Sequence, residues 1–185
     1  MIGVVLCGGK SSRMGSDKGL LKDGDKTWSQ MAIEKLSSLS LHSVVSINSS
    51  QKNTYSPFFS SDQLVLDKEE LDIRGPLLGL LSVHDQFASD DLFILGCDLP
   101  KMEIHVLQSL LDEHKQFPHF DCFVFSNSTH NEPLCGVYTA NGLKKISDAV
   151  GEGKLRSNRM MDVLDQLNTK RLPLKEEWSG SFQNM

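Results

Sequence analysis

The stretch of residues 2–18, IGVVLCGGKSSRMGSDK, indicates the fold at the start of the chain. Its first six residues are mostly apolar and rich in β-branched side chains, and a pair of glycines follows them. An apolar run of this length that ends in glycine is typical of a strand buried on both faces. Strands of this kind belong to parallel sheets that helices cover on both sides. The stretch therefore predicts an α/β protein.

Strand-like and helix-like segments alternate along the rest of the chain. The further predicted strands are 44–48, 64–66, 92–96, 120–125 and 134–138. The predicted helices are 27–39, 76–87, 104–114, 141–150 and 159–167, and Thr27 with Gln30 forms a capping box at the first of them. The Ser-rich residues 49–62 are predicted to form a loop. Such alternation is typical of a mostly parallel sheet with helices on both faces.

Composition narrows the class of protein. A chain of 185 residues corresponds to one domain, so we expect residues 1–185 to fold as a single unit. A net charge of -5 argues against a general nucleic-acid-binding surface, and no apolar run is long enough for a membrane span or a secretory leader. The four cysteines have neither CxxC nor zinc-site spacing; they are Cys7, Cys97, Cys122 and Cys135. We expect these four cysteines to be small buried side chains of a protein in the reducing cytoplasm.

Polar residues follow each of the first four predicted strands. A loop rich in glycine and basic residues follows the first, and Asn48, Asp67 and Asp98 follow the next three. Ligands of open α/β sheets bind beyond the carboxyl ends of the strands. The sequence therefore predicts that these residues gather at one edge of the sheet.

The first loop suits a polyanion. Residues 8–22 carry a single acidic side chain, Asp17, against four basic ones, which are Lys10, Arg13, Lys18 and Lys22. Glycine lets backbone N–H groups approach a ligand, and Arg13 can grip phosphate oxygens in a fork. The P-loop pattern fails because its first glycine would fall at Val4, and the dinucleotide fingerprint fails as well. From these residues alone, a surface loop with solvated charges remains an alternative.

The segment LCGGKSSRMGSDKGLL resembles the signature L-x-G-G-x-S-x-R-M-G-x-D-K of the molybdenum cofactor guanylyltransferases. That family belongs to the nucleotidyltransferases of the sugar-nucleotide type. The resemblance continues at Asn48, at Asp67 and in four further segments: residues 75–79, 97–100, 132–138 and 156–159. It implies a Rossmann-like three-layer α/β/α nucleotidyltransferase fold over nearly the whole chain.

The resemblance also implies an activity. The family transfers GMP from GTP to the phosphate of the molybdenum cofactor (Mo-molybdopterin) with Mg²⁺, releases pyrophosphate and so makes molybdopterin guanine dinucleotide. GTP and the molybdenum cofactor would be the substrates, and cofactor-delivery proteins and molybdoenzymes the protein partners. Nucleic acid and membranes are not expected as partners.

Site residues carry over by position. Arg13, Lys18 and Asp98 match catalytic residues, and Asp98 would also bind Mg²⁺, which typically takes one or two carboxylates plus phosphate oxygens. The GTP-binding set implied is Leu6, Cys7, Gly8, Gly9, Lys18, Asn48, Asp67 and Asp98. Asp67 can accept the N1–H and exocyclic N–H of guanine. The alternatives are a helix cap or turn for Asp98, a loop cap for Asn48 and a solvated acid for Asp67.

The acceptor side is less distinct in the sequence. Arg156 and Arg159 could bind the phosphate of the second substrate or be ordinary surface arginines, and His130 could face the cleft. The family carries N-x-N-T-P near its C-terminus. Here Asn184 matches the first asparagine, and the second would lie beyond Met185, so we expect a tail that continues further.

Two other functions remain open. One is a cytidylyltransferase acting on the same cofactor or on a sugar or polyol phosphate. However, the pair Gly8-Gly9 resembles the guanylyl branch more than the Ala-Gly pair common in cytidylyl relatives. The other is an inactive nucleotide-binding module that hands the cofactor to a partner.

Overall fold

The computed structural model describes residues 1–8, 17–127 and 130–183. The strands in this part of the chain are β1 Ile2–Leu6, β2 Lys22–Asp23, β3 Lys26–Thr27, β4 His42–Ile47, β5 Leu64–Leu66, β6 Leu92–Gly96, β7 Cys122–Ser126, β8 Asn131–Tyr138 and β9 Thr169–Pro173. The helices are α1 Trp28–Ser38, α2 Lys52–Tyr55, α3 Pro76–Gln86, α4 Ile104–Gln116, α5 Ala140–Gly151 and α6 Met160–Leu164. Short 3-10 helices cover Lys18–Leu20, Ser49–Gln51, Ser61–Gln63 and Glu176–Phe182.

Seven of these described strands form one sheet in the order β5-β4-β1-β6-β8-β7-β9. Strand β1 pairs in parallel with β4 and β6, and β7 pairs in parallel with β9. Among the described strands of this sheet only β8 runs antiparallel, against both β6 and β7. The prediction of an α/β protein with a mostly parallel sheet is confirmed.

Each face of the sheet carries its own apolar core, because successive side chains of a strand point to opposite faces. Val5 belongs to the cluster that α1 and α4 cover, and its neighbour Val4 belongs to the cluster that α3, α5 and α6 cover. All four cysteines are buried and free. No helix in the described ranges is long and apolar enough to cross a bilayer.

Three parts of the chain differ from the sequence prediction. The stretch 49–62, predicted to be a loop, contains α2 and two 3-10 helices, held by the fully buried side chain of Tyr55. The small hairpin of β2 and β3 was not predicted, nor was β9. Strand β9 lies at the sheet edge with a single buried side chain, Leu172, so its sequence lacks the apolar run that marks a central strand.

Helix α1 begins at the predicted capping box. The Thr27 N–H donates to Gln30 Oε1 at 3.0 Å, and the Gln30 N–H donates to Thr27 Oγ1 at 3.2 Å. Further along the helix, Lys35 Nζ donates to the Pro100 carbonyl oxygen at 2.5 Å. Helix α1 is thereby tied to the loop that follows β6, where Asp98 lies.

Replacing Asp121 with alanine should lower the free energy of unfolding by about 2 kcal/mol, because charge-assisted hydrogen bonds would be lost. The Asp121 carboxylate is buried and accepts from Lys145 Nζ at 2.8 and 2.7 Å and from the Asn168 N–H at 3.1 Å. Urea denaturation gives the value. The control is Asp148→Ala, which breaks only an exposed pair with Lys144 and should cost less than about 0.5 kcal/mol. Equal losses in both variants would contradict the assignment.

Candidate active site

A cavity of about 270 Å³ opens where the carboxyl ends of β1 and β6 lie side by side. Within the sheet, β4 and β5 lie on one side of β1, and the chain then crosses to β6 on the other side of β1. Such a reversal of strand order leaves a crevice that binds ligands in α/β proteins. Five residues of the predicted GTP-binding set line the cavity, namely Leu6, Cys7, Gly8, Lys18 and Asp98.

A cation and a carboxylate face each other in this cavity. Lys18 Nζ lies 3.5 Å from Asp98 Oδ2, and their side chains are 31% and 27% exposed. The structure thus brings together two of the three predicted catalytic residues. The third, Arg13, lies outside the described residues, as do Gly9 and Asn184. An ammonium group can bind phosphate oxygens, and a carboxylate beside it can bind a divalent cation.

Asp17 fixes the position of Lys18. Its carboxylate accepts from the Gly19 N–H at 3.0 Å, the Tyr55 hydroxyl at 2.9 Å and Gln51 Nε2 at 2.6 Å. Burial, with the nearby Cys7 and Asp17, raises the pKa of Tyr55, so the phenol stays protonated and donates. Sequence reasoning treated Asp17 only as a charge. The position of Asp17 two residues before Gly19 could have suggested a helix N-cap. Its contact with Tyr55 of α2 could not be predicted, because it depends on the tertiary fold.

A second cavity, of about 700 Å³, holds the other two predicted nucleotide-binding residues, Asn48 and Asp67. Gly8 of the first cavity lies beside Asp67 of the second. A Cβ placed on Gly8 would lie 2.9 Å from Asp67 Oδ2, so the two cavities are neighbours at this point.

The Asp67 carboxylate has one oxygen engaged. Ser46 Oγ donates to Oδ1 at 3.1 Å, and within the described residues Oδ2 has no hydrogen bond. Burial raises the pKa of Asp67, while the bond from Ser46 opposes the rise. Oδ2 is left as an acceptor where the two cavities are neighbours.

Asn48 does serve as a cap, as the alternative interpretation held. Its Oδ1 accepts from the Gln51 N–H at 3.2 Å and from Ser50 Oγ at 2.5 Å. Its side-chain amide N–H groups donate to no acceptor among the described residues, so capping leaves Asn48 able to donate to a ligand in the second cavity.

The two predicted acceptor arginines lie apart from the first cavity. Arg156 lines a separate cavity of about 480 Å³ with Lys145 and Lys154. Arg159 is exposed at the N-terminus of α6, next to Met161, whose Sδ lies 3.9 Å from Asn131 Nδ2 on β8. The structure does not bring Arg156 together with Lys18 and Asp98.

Glu132 is a site-edge residue to which the sequence reasoning gave no role. It lies at the start of β8, beyond the carboxyl end of β6, and its Oε1 is 3.2 Å from His130 Nε2. Burial raises the pKa of Glu132, the nearby Asp98 adds to the rise and His130 opposes it. His130, predicted as a residue that could face the cleft, therefore contacts a carboxylate beside Asp98.

The side chains around Asp98 suit a metal ion that binds together with a nucleotide. Across the described ranges, no group of three or more His, Cys, Asp or Glu side chains could hold a metal ion. Mg²⁺ does not need such a cage, because it commonly binds through one or two carboxylates plus phosphate oxygens and water. Asp98 therefore fits Mg²⁺ bound chiefly by a nucleotide.

Comparison with known proteins shows which family the chain belongs to. Residues 3–169 match the model of the MobA-like NTP transferase domain. The chain belongs to this family. It is therefore a nucleotidyltransferase, and the predicted relationship to the molybdenum cofactor guanylyltransferases is confirmed.

Individual relatives agree with this membership. The chain is 31% identical over 181 residues to a probable molybdenum cofactor guanylyltransferase of Flavobacterium johnsoniae, covering 98% of this chain and 89% of that protein. It is 33% identical over 135 residues to a molybdenum cofactor guanylyltransferase of Campylobacter jejuni, covering 73% of this chain and 66% of the relative.

Solved structures share the fold. Molybdopterin-guanine dinucleotide biosynthesis protein A from Archaeoglobus fulgidus superposes with a TM-score of 0.80 at 20% identity, covering all of this chain and 92% of that one. A CMP:2-keto-3-deoxy-manno-octonic acid synthetase complexed with CTP has a TM-score of 0.69 at 13% identity, covering 94% of this chain and 89% of that one.

Replacing Gly8 with alanine should weaken nucleotide binding about tenfold, because the new methyl group would displace the Asp67 carboxylate beside it. Equilibrium titration with GTP measures the change. Gly151→Ala is the matched control, since nothing lies within 4 Å of its added Cβ, and it should bind as the wild type does. Unchanged affinity in Gly8→Ala would show that the ligand does not pass between the two cavities at this point.

Proposed function

We propose that the chain is a Mg²⁺-dependent guanylyltransferase that transfers GMP from GTP to the terminal phosphate of the molybdenum cofactor. The observation that carries this proposal is the Lys18–Asp98 pair, in a cavity whose Gly8 lies beside Asp67 of the neighbouring cavity. That arrangement offers a site for a metal-bound triphosphate beside a site for a base. The names of the relatives, molybdenum cofactor guanylyltransferases, support a guanine nucleotide and the molybdenum cofactor as the substrates.

GTP would lie across both cavities. Lys18 and the backbone of Gly8 would hold the triphosphate in the first cavity, assisted by Arg13 and Gly9 of the signature loop. The base would enter the second cavity, where Asp67 Oδ2 is available to the N1–H and exocyclic N–H of guanine and Asn48 can donate to the base or ribose.

The chemistry is an in-line displacement at the α-phosphorus. An oxygen of the acceptor phosphate forms the new P–O bond, the bond to the α,β-bridging oxygen breaks and pyrophosphate leaves. An anionic phosphate needs little activation by a base, so this chain's residues act by positioning and by charge neutralisation. Lys18 offsets the charge that builds on the leaving pyrophosphate. Mg²⁺ held by Asp98 would, when bound, orient and polarise the phosphates.

The acceptor would approach from the β8 side of the first cavity. Arg159 is better placed than Arg156 for its phosphate, because α6 contacts the start of β8 through Met161 and Asn131. We place the protein in the cytoplasm, because its four cysteines are all free and free thiols are typical of a reducing compartment. Cofactor-delivery proteins and molybdoenzymes would be the protein partners there.

The test is pyrophosphate release by the chain with Mg²⁺, Mo-molybdopterin and one nucleotide at a time, with the dinucleotide product identified by chromatography. We expect product with GTP and none with CTP, UTP or ATP. Product with CTP would instead establish a cytidylyltransferase. Thermal unfolding with each nucleotide separates binding from turnover, since a ligand at roughly 100 times its Kd adds about 2.7 kcal/mol of stability. A shift with GTP but no pyrophosphate would indicate an inactive binding module.

A further inference from the structure

Arg74 lies in the second cavity, and neither the motifs nor the proposed mechanism use it. It lines that cavity together with Asn48 and Asp67. We propose that Arg74 donates to O6 and N7 of guanine while Asp67 accepts from the N1–H and N2 amino group on the adjacent edge of the base, so that the cavity reads two edges of guanine. This inference rests on the proposed function and names its specificity residue.

The backbone around Arg74 is fixed although its side chain is exposed. Ile73 before it is 5% exposed within the core, and Gly75 after it has a φ of 71°, in the left-handed region that favours glycine. Helix α3 starts at the next residue, Pro76, whose ring pre-sets the first helical φ. The Cα of Arg74 therefore holds a defined position at the cavity, from which the side chain can reach a ligand.

Among the described residues, the side chain of Arg74 is also unpaired. Acidic side chains lie close in sequence at Glu69, Glu70 and Asp72, yet within the described ranges Arg74 makes no ion pair or hydrogen bond that the structure records. Glu69 instead accepts from Ser49 Oγ at 2.5 Å. The five N–H donors of the guanidinium remain available to a ligand in the cavity.

Guanine matches this pair of groups. Its N1–H and N2 amino group donate, as the carboxylate of Asp67 requires, and its O6 and N7 accept, which is the pattern that arginine binds with two parallel hydrogen bonds. Adenine would set its N1 lone pair against Asp67 and its N6 amino group against Arg74. Cytosine would likewise oppose Asp67 with the lone pair of N3. The two residues together therefore reject both of these bases.

Nucleotide analogues separate the two contacts. In 7-deaza-GTP a C–H group replaces N7, so the contact to Arg74 is weakened. In ITP the N2 amino group is missing, so only the contact to Asp67 is weakened. We expect the wild-type protein to bind 7-deaza-GTP about tenfold more weakly than GTP, the loss expected for one hydrogen bond of a bidentate pair. Calorimetric titration gives each Kd.

Arg74→Ala should bind GTP at least about tenfold more weakly and should no longer distinguish GTP from 7-deaza-GTP. Its ratio of ITP to GTP affinity should stay that of the wild type, because Asp67 still reads that edge. Arg74→Lys should keep the charge but lose most of the preference for N7, since an ammonium lacks the fork. The control is Arg171→Ala, on β9 at the opposite edge of the sheet, which should change neither ratio.

The failures of the two proposals can be told apart. If the wild-type protein prefers GTP and Arg74→Ala keeps the wild-type ratio of 7-deaza-GTP to GTP affinity, the role of Arg74 is overturned and the guanylyltransferase assignment stands. If the wild-type protein binds CTP as tightly as GTP, the proposed function itself is overturned.

Discussion

Replacing Asp98 with asparagine should lower kcat about a thousandfold. Asparagine keeps the shape of the side chain but removes the charge that would bind Mg²⁺ beside Lys18. Loss of one preorganised electrostatic group in an active site typically costs 10²–10³ in turnover. The effect should appear in kcat at saturating GTP, and raising the Mg²⁺ concentration should restore part of it, because the metal site is weakened.

Steady-state pyrophosphate release over a range of Mg²⁺ concentrations measures this effect. Asp85→Asn serves as the control, because Asp85 is exposed, pairs with Lys68 on the surface and should leave turnover unchanged. The unfolding midpoint of Asp98→Asn should equal that of the wild type, which separates a chemical loss from a folding defect. Turnover within about tenfold of the wild type would remove Asp98 from the metal site.

Replacing Lys18 with alanine should lower kcat about a hundredfold and also raise the KM for GTP. Lys18 lines the first cavity, and in the proposed mechanism its ammonium group would offset triphosphate charge in the bound nucleotide and still more in the transition state, so both constants should change. The loss should exceed that of any other described lysine, because Lys18 is the lysine that lines the first cavity within the described residues.

The kinetics of Lys18→Ala are best compared with those of Lys26→Ala. Lys26 is exposed and paired with Glu34, so its loss should change neither kcat nor KM. Compared with Lys18→Ala, Lys18→Arg should restore GTP binding more than turnover, because arginine keeps the positive charge but replaces the compact ammonium group with a planar guanidinium. An unchanged kcat in Lys18→Ala would mean that the lysine only neutralises Asp98.

The central strands and most helices could be predicted from the sequence because burial on both faces leaves a strong local pattern. Residues 92–96 form a strand with the predicted bounds and every residue buried, and the capping box of Thr27 forms as expected. The edge strand β9 and the short helix α2 lack such patterns. Strand β9 has one buried side chain, and α2 is held mainly by the single buried Tyr55.

The residues of the site could be predicted from the sequence, but their separation into two cavities could not. The carboxyl ends of parallel strands lie at one edge of a sheet, so the position of Asp98 directly after a predicted strand was enough to group it with the first loop. The separation of Asn48 and Asp67 into a second cavity, beside Gly8, depends on contacts between residues far apart in the chain. The same holds for the bonds from Gln51 and Tyr55 to Asp17, which join residues 34 and 38 positions apart.

Those bonds have a consequence for protein engineering. The segment that carries Asn48 into the second cavity also carries Gln51 and Tyr55, and Gln51 Nε2 holds both Asp17 and the Cys7 carbonyl oxygen, at 2.6 and 3.1 Å. A chimera that imports this segment from a relative with another base preference would also replace the side chains that hold Asp17 and the Cys7 carbonyl oxygen. Grafting a new base preference onto this scaffold therefore requires residues 7–8, 17–19 and 48–55 to be exchanged as one block.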